Sequence, residues 1–127
     1  MVNGNTVITI SFTDNGFTRN SSGALVDGNY QLTIDHTQVR RAGSNVTLAE
    51  DFVFGDQAAD RFFTYFGDYN GDRTVNIIDL LSFRSSYLGL DGDAFYNAAS
   101  DFNGDGSINV IDLLFFRQRY RQTLAFV

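Results

Sequence analysis

The sequence predicts an α+β fold, in which a small antiparallel β region precedes two copies of a loop–helix unit. Three observations support this prediction. Short runs of alternating apolar and polar residues, separated by Gly, Asn and Asp, fill the first part of the chain and are typical of strands. The second part repeats itself at a spacing of 33 residues. Each repeat places a loop rich in Asp and Asn before an apolar run with helical periodicity.

The composition narrows the range of functions. Of 127 residues, 14 are Asp and one is Glu, all nine basic residues are Arg, and the formal net charge is −6. This acidity argues against binding to the phosphate backbone of nucleic acids. The chain has no Cys and a single His, which excludes thiolate zinc sites and leaves little material for acid–base catalysis. We therefore do not expect an enzyme. No apolar run approaches the roughly 20 residues of a membrane span.

The first part of the chain is predicted to contain three strands. They cover residues 6–12, residues 29–35 with Tyr30, Leu32 and Ile34 on one face, and residues 52–54. An aromatic cluster after two alanines predicts a short helical connector over residues 56–66. The predicted division is thus a β region (1–55), a connector (56–66) and the duplicated module (67–127).

The candidate metal ligands lie in the repeated segment. Residues 68–88 and 101–121 are identical at 12 of 21 aligned positions, and each copy has oxygen-bearing side chains at positions 1, 3, 5, 9 and 12 of a twelve-residue loop. This is the EF-hand spacing for calcium, in which position 7 adds a backbone carbonyl. The predicted ligands are Asp68, Asn70, Asp72, Thr74, Asn76 and Asp79 in the first loop, and Asp101, Asn103, Asp105, Ser107, Asn109 and Asp112 in the second.

Two features of the loops depart from the usual EF-hand. Both loops end in Asp instead of the bidentate Glu. Position 6, where the backbone turns sharply, is Gly106 in the second loop but Arg73 in the first, so we expect the first site to be the weaker. Val75 and Ile108, at position 8, are expected to pack the paired loops together.

The repeat resembles a known family, the dockerin modules of bacterial extracellular proteins. The resemblance covers about residues 67–121 and lies in Gly-Asp-Tyr-Asn-Gly-Asp at 67–72, Asp-Phe-Asn-Gly-Asp-Gly at 101–106, and an Asp-Leu-Leu triplet after each loop. It implies a module that folds on two Ca²⁺ ions and docks onto a cohesin. In dockerins, positions 10 and 11 often carry Ser or Thr that contact the cohesin; here they are branched apolar residues. The partner surface expected from the resemblance and the helix pattern comprises Ile77, Ile78, Arg84, Val110, Ile111 and Arg117.

The β region also shows a resemblance. Leu-Val-Asp-Gly-Asn-Tyr-Gln-Leu at residues 25–32 resembles the tyrosine corner of immunoglobulin-like sandwiches, which implies that residues 5–54 are the last three strands of such a domain. Strands followed by a dockerin resemble the C-terminal tails of surface proteins from planctomycete-type bacteria. The first residues do not resemble a signal peptide. We therefore expect a fragment or tail of a secreted or cell-surface protein, with polysaccharide degradation as one activity of its parent.

Three functions remain open at this stage. A docking module predicts an exposed apolar or Arg-bearing helix face for a cohesin-like protein or for the protein's own neighbouring domain. A calcium-rigidified structural tail predicts that the same faces are buried within the chain. A calcium sensor is disfavoured, because the chain has one Met and neither loop closes with Glu. Dimerisation through open β edges is a further expectation.

Overall fold

The structure, a computed structural model, describes residues 10–12, 16, 18–20 and 23–126. These residues contain short strands and two α-helices, so the α+β class is confirmed. No helix in this part of the chain is long and apolar enough to cross a membrane. The elements are β1 (Gly28–Tyr30), β2 (Leu32–Ile34), β3 (Phe52–Phe54), β4 (Phe62–Thr64), α1 (Ile77–Ser86), a 3₁₀ helix (Ala98–Ser100) and α2 (Val110–Arg119).

The described residues form two compact units. The loop unit combines those within Met1–Val26 with Tyr65–Ala125 and contains both α-helices. The β unit comprises Asp27–Thr64 together with Phe126 and contains all four described strands. The loop unit is therefore discontinuous in sequence, and this division differs from the predicted ranges of 1–55, 56–66 and 67–127.

The β unit consists of two antiparallel pairs among its described residues. β1 pairs with β4, and β2 pairs with β3 in the register Leu32↔Phe54. The predicted strand over residues 29–35 is thus divided at Gln31 into two strands with different partners, although the predicted alternation of burial from Tyr30 to Ile34 is present. An immunoglobulin-like sandwich is not confirmed.

Two further strand and helix predictions have different outcomes. The strand predicted at residues 52–54 is confirmed as β3, whereas the strand at 6–12 lies mostly outside the described residues and its residues 10–12 are not in a strand. The prediction of a helical connector over residues 56–66 is wrong, because Phe62–Thr64 form β4. Pairing with β1 and stacking of Phe62 on Tyr30, with ring centroids 6.2 Å apart, favour the strand over the local helix pattern.

The core of the loop unit is built from equivalent positions of the two repeats. Phe83 and Phe116 occupy the same position in α1 and α2, and their ring centroids are 5.1 Å apart. Val75 and Ile108, at position 8 of each loop, are fully buried in the same cluster. Phe66 completes it and packs edge-on against Phe102 at 4.9 Å. The helices therefore bury one aromatic stripe each against the position-8 side chains of the loops.

Backbone hydrogen bonds connect each loop to the segment that follows the other repeat's helix. The Val75 carbonyl accepts from the Arg121 amide at 2.7 Å, the Val75 amide donates to the Gln122 carbonyl at 3.0 Å, and Leu124 donates to the Arg73 carbonyl at 2.8 Å. The predicted packing of the two position-8 side chains in one cluster is therefore accompanied by backbone pairing with these segments, which the sequence did not predict. The equivalent bonds in the other half run from Leu88 to Ile108, from Ile108 to Gly89 and from Asp91 to Gly106.

Candidate calcium loops and docking faces

The last residues of each loop form the first turn of the following helix. Two of the predicted calcium ligands in each loop, at positions 9 and 12, also cap that helix. Asn76 is the N-cap of α1 and accepts the Ile78 amide at 2.8 Å, while Asp79 accepts the Asn76 amide at 2.9 Å. This reciprocal capping box satisfies amides that a helix start leaves without partners. Positions 9 and 12 of the loop are therefore held in place by the first turn of the helix. Asn109 and Asp112 form the same box at the start of α2.

The position-12 carboxylates are completely buried. Asp79 has no exposed surface; one of its oxygens accepts the Tyr69 amide at 2.8 Å and the other accepts the Asn76 amide. Asp112, equally buried, accepts the Phe102 and Asn109 amides in the same way. A carboxylate has about four lone-pair sites, so each oxygen keeps one acceptor site after these bonds.

These two buried charges fit a hard cation. No Arg or His side chain in the described part of the chain forms an ion pair with Asp79 or Asp112. A buried carboxylate is costly unless it is paired or coordinates a metal, even when it accepts hydrogen bonds. Calcium takes six to eight oxygen ligands and accepts a carboxylate in either mode, so the donor set of each loop suits it.

The position-1 carboxylates organise the loop backbone. Asp68 accepts the amides of Gly71, Asp72 and Arg73 at 2.8, 3.2 and 2.8 Å. Asp101 accepts the equivalent amides of the second loop at 2.7, 3.3 and 2.8 Å. Three converging amides keep this carboxylate on the inner side of the turn, where position 1 of a calcium loop belongs.

The other predicted ligands lie in the same hydrogen-bond network. The Asn70 amide group donates to Asp72 at 2.9 Å, and the other Asp72 oxygen accepts the Thr74 amide at 2.8 Å. Bonds of 2.8 and 2.9 Å repeat this arrangement in the second loop, among Asn103, Asp105 and Ser107. The structure thus links position 3 to position 5, and position 9 to position 12, in both loops.

The backbone at position 6 is left-handed in both loops. Gly106 has φ +80° and Arg73 has φ +69°. Only glycine adopts this conformation without steric cost, and other residues lose about 1–2 kcal/mol there. The strain expected from Arg73 is therefore present, and the weaker first site stays a prediction.

Both helices expose the faces on which partner residues were predicted. Ile77, Ile78, Val110 and Ile111 are between 44% and 57% exposed. Arg84 and Arg117 are exposed, and their side chains form no hydrogen bond or ion pair within the described part of the chain. Sequence reasoning missed Leu81 and Leu114, which are 60% and 52% exposed one turn further along the same faces. Their helical spacing from positions 10 and 11 was the available signal.

Further contacts at the second loop were also missed. The Tyr96 hydroxyl donates to an Asp101 oxygen at 2.8 Å, and burial together with this bond raises the Tyr96 pKa to about 12. Asn20 donates to the Phe102 carbonyl at 3.0 Å, although 82 residues separate them. No local pattern predicts a contact across such a distance.

The single His belongs to the β unit. Its backbone amide and Nδ1 atom both contact one oxygen of Asp51, at 2.8 and 2.7 Å. These bonds, the backbone one first, hold the pKa of Asp51 below its usual range. His36 thus lies half-buried in a turn, where Asp51 joins two loops of this unit.

Two Asp-closed loops that each open a capped helix, related by repeat, define a duplicated EF-hand-like loop–helix module. Residues 66–119 match the family model of the dockerin type I domain, so this part of the chain is a dockerin domain, as the resemblance predicted. Dockerin domains bind calcium and are docking modules rather than catalytic ones; their partners are cohesin-type proteins, and they typically occur in extracellular proteins. Comparison with curated proteins and with solved structures found no match to the chain.

Proposed function

We propose that the loop unit is a docking module that binds one Ca²⁺ ion in each loop and presents its two helix faces to a cohesin-like domain. The observation that carries this proposal is the pair of fully buried carboxylates, Asp79 and Asp112, at the start of helices whose outer faces are apolar. Calcium binding neutralises these charges and stabilises the loops, and the loops position the helices. Metal binding and formation of the docking surface are thereby coupled.

The twelve ligands predicted from the sequence are the proposed ligands. Both loops share the same hydrogen-bond scheme, which supports equal ligand sets for the two ions. The order of affinity follows from position 6, because the strain at Arg73 opposes loop closure at the first site.

The chemistry of the faces indicates the chemistry of the partner. Each face combines branched apolar residues at positions 10 and 11 with a Leu one turn later and an exposed Arg, Arg84 on α1 and Arg117 on α2. A complementary surface is apolar at its centre and carries carboxylates at its rim. The exposure of these residues favours docking over the structural tail, which predicts their burial.

The parent protein is proposed on the family resemblance. We propose a secreted or surface-exposed bacterial protein, with polysaccharide catabolism as its activity class, in which this chain is a C-terminal tail. The immunoglobulin-like reading of residues 1–55 and dimerisation through the edges of the two-stranded sheets stay predictions.

A calcium titration tests the proposal. Circular dichroism and amide NMR of the full chain, with EGTA reversal, should show two binding events that order the loop unit. Asp79→Ala and Asp112→Ala should each remove one of the two binding events. Spectra that do not change on addition of calcium would refute the proposal.

Docking is tested separately by surface plasmon resonance against a panel of bacterial cohesin domains. Ile78→Asp with Ile111→Asp should abolish binding to any cohesin that recognises the wild type, with calcium affinity unchanged. Val46→Asp is the matched control, since Val46 is 64% exposed and lies in the β unit. Calcium binding without recognition of any cohesin by the wild type would refute docking to this class of partner.

A further inference from the structure

The two loops share most of their internal hydrogen bonds but differ in the contacts that support them from outside the loop. Asp101 is 3% exposed and accepts a hydroxyl from Tyr96 in addition to its three loop amides. The residue 33 positions before Tyr96 is Phe63, which has no hydroxyl. The corresponding carboxylate, Asp68, is partly exposed. Among the described residues, therefore, the position-1 carboxylate of the second loop has a side-chain contact from outside the loop, and that of the first loop has none.

A second contact reaches the same loop from far upstream. Residues 18–20 and 23–25, here called the upstream segment, are held by the Thr18↔Leu25 bridge and by a 2.7 Å bond from the Arg19 amide to the Ala24 carbonyl. Asn20, 9% exposed, donates from its side chain to the carbonyl of Phe102, the residue after Asp101. The segment is thus attached to position 2 of the second loop.

The ring of Phe102 is enclosed as well. The Arg19 guanidinium lies 5.4 Å from its centroid, and the Arg119 guanidinium lies 5.1 Å from it. Both guanidinium groups also lie within 6 Å of the Phe66 ring, at distances typical of cation–π contacts. The amide of Phe102 donates to Asp112, so this residue joins the upstream segment to the position-12 carboxylate.

We propose that Tyr96 and the upstream segment are positioning elements of the second calcium loop, so that calcium binding and attachment of the segment stabilise each other. This inference rests on the proposed calcium sites. Tyr96 fixes one oxygen of Asp101. Asn20 holds the Phe102 carbonyl and Arg19 packs against the Phe102 ring, so both hold the residue whose amide donates to Asp112. Groups that orient metal ligands typically change metal affinity by 10–100-fold. Linkage requires the effect to be reciprocal, so calcium must also strengthen the hold on the upstream segment.

The test uses amide NMR of the full chain during a calcium titration. The Gly106 amide reports on the second loop, the Gly71 amide on the first, and the Arg19 amide, which donates to the Ala24 carbonyl, on the upstream segment. In the wild type, the Arg19 amide should shift at the calcium concentrations that shift Gly106. Tyr96→Phe should weaken calcium binding at the second loop about 10-fold and at the first less than 2-fold.

Asn20→Ala, which removes no contact to a carboxylate, should also weaken calcium binding at the second loop selectively. It should abolish the calcium-dependent shift of the Arg19 amide, whose bond to the Ala24 carbonyl does not involve the Asn20 side chain. Tyr87→Phe is the matched control, since the Tyr87 hydroxyl makes no hydrogen bond within the described residues. The inference would be overturned if Tyr96→Phe and Asn20→Ala changed the calcium affinity of both loops equally, or of neither loop. Such a result would leave the two proposed calcium sites intact. A wild type without calcium binding at the second loop would overturn both proposals.

Discussion

Residues beyond the end of the family match are predicted to hold the first loop in place. The match ends at residue 119, whereas residues 121–124 supply three backbone hydrogen bonds to Val75 and Arg73, of 2.7, 3.0 and 2.8 Å. A chain truncated after Tyr120 loses all three. A net contribution of about 1 kcal/mol for each bond predicts a loss of about 3 kcal/mol in the free energy of unfolding of the loop unit. For a unit of this size, that corresponds to a fall of about 12–24 °C in Tm.

The assay is thermal unfolding followed by circular dichroism, with and without calcium. The control is truncation after Ala125, which keeps the three bonds. The second loop draws its equivalent bonds from Leu88, Gly89 and Asp91, which both truncations retain. Amide NMR should therefore show the first loop losing calcium affinity in the shorter chain while the second changes little. A Tm within about 3 °C of the control would refute the reasoning.

Two further predictions concern packing and pH. Gly67→Ala should lower the free energy of unfolding by about 2–4 kcal/mol in chemical denaturation, because Gly67 has φ +91° and an added Cβ would lie 2.9 Å from Phe116 Cδ2. Gly71 has φ +75°, but a Cβ added there would meet no atom within 4 Å. If Gly71→Ala lowered the free energy of unfolding as much as Gly67→Ala, backbone strain would be the cause instead of crowding. In the β unit, the lowered pKa of Asp51 means that its bonds to His36 stabilise the fold above the usual Asp pKa of about 4. This contribution should disappear as the pH falls through the lowered pKa, and Asp51→Asn should remove this pH dependence, because an amide oxygen accepts hydrogen bonds but does not titrate. A carbon-detected NMR titration that gives Asp51 a pKa at or above the usual value would contradict it.

The parts that sequence could predict are those governed by local physics. The ligand spacing, the Asn caps and the helical periodicity all lie within one repeat, and the helices begin at Ile77 and Val110 as this pattern requires. The positive φ of Arg73 followed from its position in the loop.

The parts that sequence could not predict depend on distant partners. Phe62–Thr64 has an aromatic pattern that suits a helix, and only pairing with β1 makes it a strand. The contact from Asn20 to Phe102 and the pairing of Val75 with residues 121–122 join segments that no periodicity links. The resemblance of residues 25–32 to a tyrosine corner stays unconfirmed, and it specified no strand pairing, since turn, Tyr and strand patterns are common to many β structures.

The β unit is inserted in the sequence of the loop unit, so unfolding it would lengthen the chain between the two stretches of the loop unit. Asp27–Thr64 lies between two stretches that belong to the same loop unit. When the upstream chain is pulled against a docked partner, tension passes from the upstream segment to the second loop and bypasses these residues. Once Arg19 and Asn20 detach from Phe102, the intervening segment is loaded and can extend by up to about 130 Å, at roughly 3.4 Å per residue. The contact of Arg19 and Asn20 with Phe102 therefore decides whether such a force reaches the second loop directly or first extends Asp27–Thr64.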